Sequence, residues 1–345
     1  KSPGEPYCPE CGHHMVRIRG GGYGNHIRSC GCDGCSLRRA EEIEDALEPA
    51  REKLREWVMQ CRKMPVPWES LSLKHQLAVL HLLTRPRAIT PFNTLSAVDS
   101  FAFFPTLDAT QALLKELLKS NVLMLNPEAH RDCFERRLDG VVPLLNSFDW
   151  LINLTVDGRI FKETDSVSHL CHQMRILLSD PSCESSVNLF LCEMCFLEAQ
   201  AYLSLLLIER KLLGEGELVS GLKLSQVLKQ LAESQPMRQV FYLCYLAARN
   251  ASDAKLIRNI TSRHAVNTIP GHLEHLGNAC KTWNTITRYN RDNRLTANNL
   301  METFLGRVLD LPADTYLEHT PQGFVDAYLP LDAPRMPVDE ILRNL

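Results

Sequence analysis

Cys8-Pro9-Glu10-Cys11 and Cys32-Asp33-Gly34-Cys35 are two Cys-x2-Cys pairs with twenty residues between them. Four thiolates at this spacing converge on a tetrahedral Zn2+ site, with Zn–S bonds of about 2.3 Å. Gly12 follows the first pair and Gly34 lies inside the second, so backbone amides can turn toward the sulfurs and stabilise their negative charge. Cys30 competes for a place, because Cys30-x-Cys32-x2-Cys35 supplies three thiols for two positions. The spacing shared with the first pair favours Cys32 and Cys35. His13 and His14 would serve only in place of a displaced cysteine. The expected metal set is therefore Cys8, Cys11, Cys32 and Cys35, with zinc as the cofactor.

The stretch between the pairs reads as a β-hairpin. Val16-Arg17-Ile18-Arg19 alternates, Gly20-Gly21-Gly22-Tyr23-Gly24 turns, and His26-Ile27-Arg28 returns. Residues 7–36 resemble a zinc ribbon, and the resemblance implies a small β module stapled by metal because it is too short to hold a core. Alternation puts Arg17 and Arg19 on one face, where His26 and Arg28 can join them, while Val16 and Ile18 take the other. Six basic residues up to Arg39 outnumber three acidic ones. A basic hairpin of this kind suits phosphate contacts, which fix position without reading sequence. The glycine run is not a nucleotide phosphate loop, since no Gly-Lys-Ser/Thr follows it.

A second basic patch covers residues 251–300, with seven Lys and Arg (Arg288, Arg291 and Arg294 among them) against three acidic residues. Asparagines are dense there, and Trp283 and Tyr289 are interleaved, a mixture able to bond and stack on bases. Residues 301–345 carry three basic and eight acidic residues, so patch and tail could instead pair with each other. Arg258-Asn259-Ile260-Thr261-Ser262-Arg263-His264 is similar to the Arg-polar-x-His motif of HEPN ribonucleases. That resemblance implies Arg258 stabilising charge on a cleaved phosphodiester and His264 moving a proton.

His169, Cys171, His172, Cys183, Cys192 and Cys195 form a conspicuous set, for which core packing is the simpler reading. Glu193 and Glu198 fall inside the apolar run Val187–Ile208, where a buried carboxylate needs a partner such as an arginine of a neighbouring helix. Carboxylates at that depth also argue against a membrane span.

These groups sit in a chain of 345 residues with 45% apolar side chains, enough for two or three domains with cores. Thirteen cysteines are too many and odd in number for a disulfide scaffold, so metal binding plus reduced thiols points to a cytoplasmic protein. A net charge of −3 excludes a histone-like coat. The expected fold is mainly α and multidomain, with a zinc ribbon over 1–36 and a connecting helix whose apolar stripe is Ile43, Leu47, Ala50, Leu54, Trp57 and Cys61.

Residues 66–160 carry short helices (Leu73–Thr84, then Ala109–Ser120 with Asp108 as its expected N-cap) and then two strands (Val122–Leu125 and Trp150–Val156), the element order of a winged helix. A helical bundle follows over 165–310, with segments near 166–179, 186–213, 217–233, 236–250, 253–267, 271–287 and 296–309 and a break at Asp180-Pro181, then an acidic, Pro-punctuated tail over 311–345. The expected function is a zinc-containing nucleic-acid-binding protein, more a non-catalytic subunit of a nucleoprotein assembly than an enzyme. A HEPN-like ribonuclease and a protein-interaction adaptor docking through the 37–63 helix are the competing readings. DNA and RNA are not distinguished, and other protein subunits are expected partners.

Overall fold

The structure, a computed structural model, describes residues 15–19, 26–30, 33–84, 94–95, 103–130, 133–137, 140–143, 150–161, 167–282 and 289–331. Cys8, Cys11, Cys32, Trp283 and Arg288 lie outside them. The described chain is mainly helical.

Strands β1 (Met15–Arg19) and β2 (His26–Cys30) pair as an antiparallel hairpin. Helix α1 (Asp33–Cys61) follows and runs through Pro49 without a break. Its apolar stripe is not solvated at its C-terminal end. Leu47, Val58 and Cys61 are buried, and Val58 and Cys61 meet Met124 and Leu151. Polar bonds fix the same contact: Arg51 Nη2 donates to Ala129 O at 3.1 Å, and Asn153 Nδ2 to Cys61 O at 3.1 Å.

Next come β3 (Val66–Pro67), α2 (Leu73–Thr84), β4 (Thr94–Leu95), α3 (Leu107–Lys119), β5 (Leu123–Leu125), the hairpin β6 (Phe134–Arg137) and β7 (Gly140–Pro143), then β8 (Trp150–Ile152), β9 (Leu154–Val156) and β10 (Arg159–Ile160). Strand β8 lies between β4 and β5, antiparallel to both, with Leu151 opposite Thr94 and Met124. Asn153 divides the expected strand 150–156, because β9 leaves to pair in parallel with β3. Asp157 and Gly158 both have positive φ (51° and 72°), the pattern of the tight turn that closes β9 onto β10. Asp108 lies in the first turn of α3; the N-cap itself is Thr106.

The remainder is helical: α4 (Val167–Leu178), α5 (Glu184–Glu209), α6 (Leu222–Ser234), α7 (Met237–Arg258), α8 (Ser262–Asn267), α9 (Ile269–Ala279), α10 (Asn299–Thr303) continued as a π-helix to Leu309, and α11 (Pro321–Tyr328). Asp180 accepts from Ser182 N and Pro181 opens the next turn, so the break before α5 is set locally. Helix α5 is apolar and long enough to cross a membrane by composition. Here Val187, Leu191, Met194, Leu203 and Leu207 are buried against its neighbours. Each such side chain contributes about 1.5–3 kcal/mol on burial. At Gly277 of α9 an added Cβ would lie 2.6 Å from Leu231, so a side chain there would push α9 off α6.

Candidate functional site

The hairpin register decides which of its residues share a face. Arg17 stands opposite Arg28, Arg19 opposite His26 and Met15 opposite Cys30, while Val16 faces Ser29 and Ile18 faces Ile27. Cross-strand partners lie on one side of a ladder, so Arg17, Arg19, His26 and Arg28 share a face. Like charges set directly opposite are destabilising unless something anionic meets them.

The ladder ends at the Met15–Cys30 pair. The chain enters there four residues after Cys11 and leaves two residues before Cys32. Cys35 is the third residue of α1, where the helix N-terminus favours a thiolate. Cys30 belongs to β2 itself and is paired in the ladder.

The basic patch in the bundle is largely engaged within the chain. Arg291 Nε donates to Glu198 Oε1, and its other nitrogens to Leu295 O (3.3 Å) and Thr296 O (2.5 Å). Glu198 is 0% exposed, and its second oxygen accepts from Tyr316 Oη at 2.5 Å. Burial and the neighbouring carboxylate push the Tyr316 hydroxyl well above the usual phenol range. The arginine partner expected for a carboxylate of this helix is therefore Arg291. Arg294 is bound by Asp292 and Glu209. Of the three arginines assigned to this surface, the two that are described hold parts of the fold together.

Arg258 ends α7 and His264 lies in α8, with Asn259 in the left-handed region (φ 48°) between the helices. Both side chains are exposed. Thr261 caps α8 by accepting from His264 N at 3.2 Å.

His169 Nε2 lies 2.8 Å from Asp157 Oδ2, away from the thiols near it in sequence. Among the described residues no group of three or more His, Cys, Asp or Glu side chains could hold a metal ion. Cys171, Cys195 and Cys244 are buried, and Cys183 and Cys192 partly so. Burial pushes the Cys192 thiol up to about 11 and Cys244 to about 12. Maleimide labelling of the native protein near neutral pH is expected to be slow at all five and fast after denaturation. A thiol held protonated in the fold stabilises it below the ordinary thiol range. That stability is lost as pH rises from about 9 toward 12. Urea midpoints measured across this window check the sign.

Spacing within residues 251–300 alone did not reveal one surface feature. Tyr289 meets Tyr242 and Tyr245, which belong to α7 upstream of that segment. The signal was the helical period of Tyr242 and Tyr245, obscured by the apolar residues around them. Comparisons with protein-family models, with curated proteins and with solved structures found no match.

Proposed function

We propose that the chain is a zinc-ribbon nucleic-acid-binding protein, serving as a non-catalytic subunit of a nucleoprotein assembly. The observation that carries the reading is the hairpin register, which gathers Arg17, Arg19, His26 and Arg28 on one face. A basic face on a two-stranded ribbon suits phosphate contacts, which fix position without reading sequence. Zn2+ held by Cys8, Cys11, Cys32 and Cys35 would fix the open end of this hairpin and supply the rigidity it lacks.

The strand order β4–β8–β5, with α2 and α3 preceding β5 and a hairpin between β5 and β8, supports a winged-helix-like unit over 66–160. The C-terminal half of α1 packs against this unit. Replacing Arg17, Arg19 and Arg28 together with Ala is expected to weaken binding alike for unrelated sequences. The slope of log K against log salt should fall by roughly two to three units, at about 0.7–0.9 per lost phosphate contact. An unchanged slope would remove the hairpin from the interface.

A further inference from the structure

Helix α7 carries Arg238, Tyr242, Tyr245 and Arg249 at spacings of four, three and four. That spacing keeps the four side chains on one helix face over about 16 Å. Tyr242 and Tyr245 are half-buried, and Arg249 is exposed. Tyr289 reaches the same face through its amide, which donates to Arg238 O at 3.3 Å. Its ring lies 5.2 Å from Tyr242 and 5.3 Å from Tyr245, tilted by 60° and 53°. Arg210, at the C-terminus of α5, sits over the Tyr245 ring at 5.3 Å from its centroid.

Four acidic groups nearby are already paired, and Asp253, one turn beyond Arg249 on α7, is exposed. Glu318 and Asp314 pair with Arg238, while Asp292 and Glu209 pair with Arg294. Among the described residues no carboxylate pairs with Arg210 or Arg249. Three half-exposed phenol rings and two uncompensated arginines thus share one surface.

We propose that this surface is a stacking platform for single-stranded nucleic acid, with bases against the tyrosines and phosphates drawn to Arg210 and Arg249. Aromatic faces bind any base, and cations beside them hold the strand, the combination used where sequence is not read. A duplex keeps its bases stacked inside and offers these rings nothing. At about 3.4 Å per stacked step, the stretch of about 10 Å from Tyr242 to Arg249 accommodates about three nucleotides.

The inference rests on reading the chain as a nucleic-acid-binding protein, but α7 and the ribbon are separate elements and can fail separately. The test measures binding of fluorescent oligothymidylate and oligouridylate, and of a duplex of matching length, by anisotropy with the full chain. Tyr245→Leu and Tyr289→Leu are each expected to weaken single-strand binding at least about fivefold. Tyr245→Phe and Tyr289→Phe should keep it, and duplex binding should not change. Arg249→Gln, at an exposed position, should lower the single-strand salt slope by about 0.7.

Photocrosslinks are expected within 242–249 and at Tyr289. Leu and Gln variants that bind like the unsubstituted chain, while the hairpin triple variant loses binding, overturn the platform and leave the ribbon reading standing. No binding of either strand form at low salt overturns both. If a Leu variant melts early, the Arg249→Gln slope and the crosslink map decide.

Discussion

The proposed zinc ribbon predicts one zinc per chain, lost in Cys32→Ser and kept in Cys30→Ser. The hairpin has five paired positions, and among the described residues no third strand joins it. A lone two-stranded hairpin is marginal in water. Structural zinc in peptides of comparable size binds with an apparent free energy of about 10–16 kcal/mol, and that binding energy is folding energy. Removing one thiolate therefore removes the main source of order in residues 7–36. Metal analysis reads the stoichiometry directly. Limited proteolysis reads the fold, with chelator-dependent cleavage expected between Met15 and Cys30 while the helices from α2 onward resist. The buried core described for those helices is built from Trp68 onward, so the far-ultraviolet helical signal should persist. Metal loss on Cys30→Ser alone would move the fourth ligand from Cys32 to Cys30. A chain that binds no zinc in either form removes the ribbon reading altogether.

Elements with local causes were legible. Leu73–Thr84 was expected and found as α2, and Val122–Leu125 supplied β5, because apolar periodicity and flanking turns speak for themselves there. The Asp180-Pro181 break also follows from local chemistry, a carboxylate accepting a backbone amide and a proline opening the next turn.

What failed depended on distance or on a single dihedral. A break was expected near residue 250, yet α7 runs on to Arg258 because Ala247, Ala248 and Ala251 are buried and continue the helix. Nothing in the neighbouring residues marks Asn259 as the left-handed position where it stops. The split of 150–156 arises from Val66 pairing with Leu154, a contact no local pattern encodes. On the site, the arginine face of the hairpin was legible from alternation alone. The engagement of Arg291 was not, because Glu198 lies 93 residues away and only packing decides which arginine reaches it. Similarly, Tyr289 was noticed as an interleaved aromatic, but its partners on α7 lie outside the window that drew attention to it.

Arg291→Met is expected to cost about 3–5 kcal/mol of stability, the penalty for leaving a buried charge without its partner. Glu198 is fully buried in α5, and Arg291 is the only cation bonded to it among the described residues. The same substitution frees the carbonyls of Leu295 and Thr296, loosening the chain that leads into α10. Tyr316→Phe removes a hydrogen bond to the same carboxylate and should cost less, about 1.5–3 kcal/mol. The double variant Glu198→Gln with Arg291→Met removes the charge along with its partner and should recover most of the loss. Gln also keeps an oxygen to accept from Tyr316. Urea unfolding of the unsubstituted chain, Glu198→Gln, Arg291→Met and the double variant forms a cycle whose coupling energy reports the pair. The same proteins decide what Arg291 does for nucleic acid. If it is structural, the double variant keeps the salt slope of the unsubstituted chain. A slope lower by about 0.7–0.9 with stability unchanged in Arg291→Met would instead make Arg291 a phosphate contact. It would also mean that the buried pair contributes little to holding the C-terminal helices on α5.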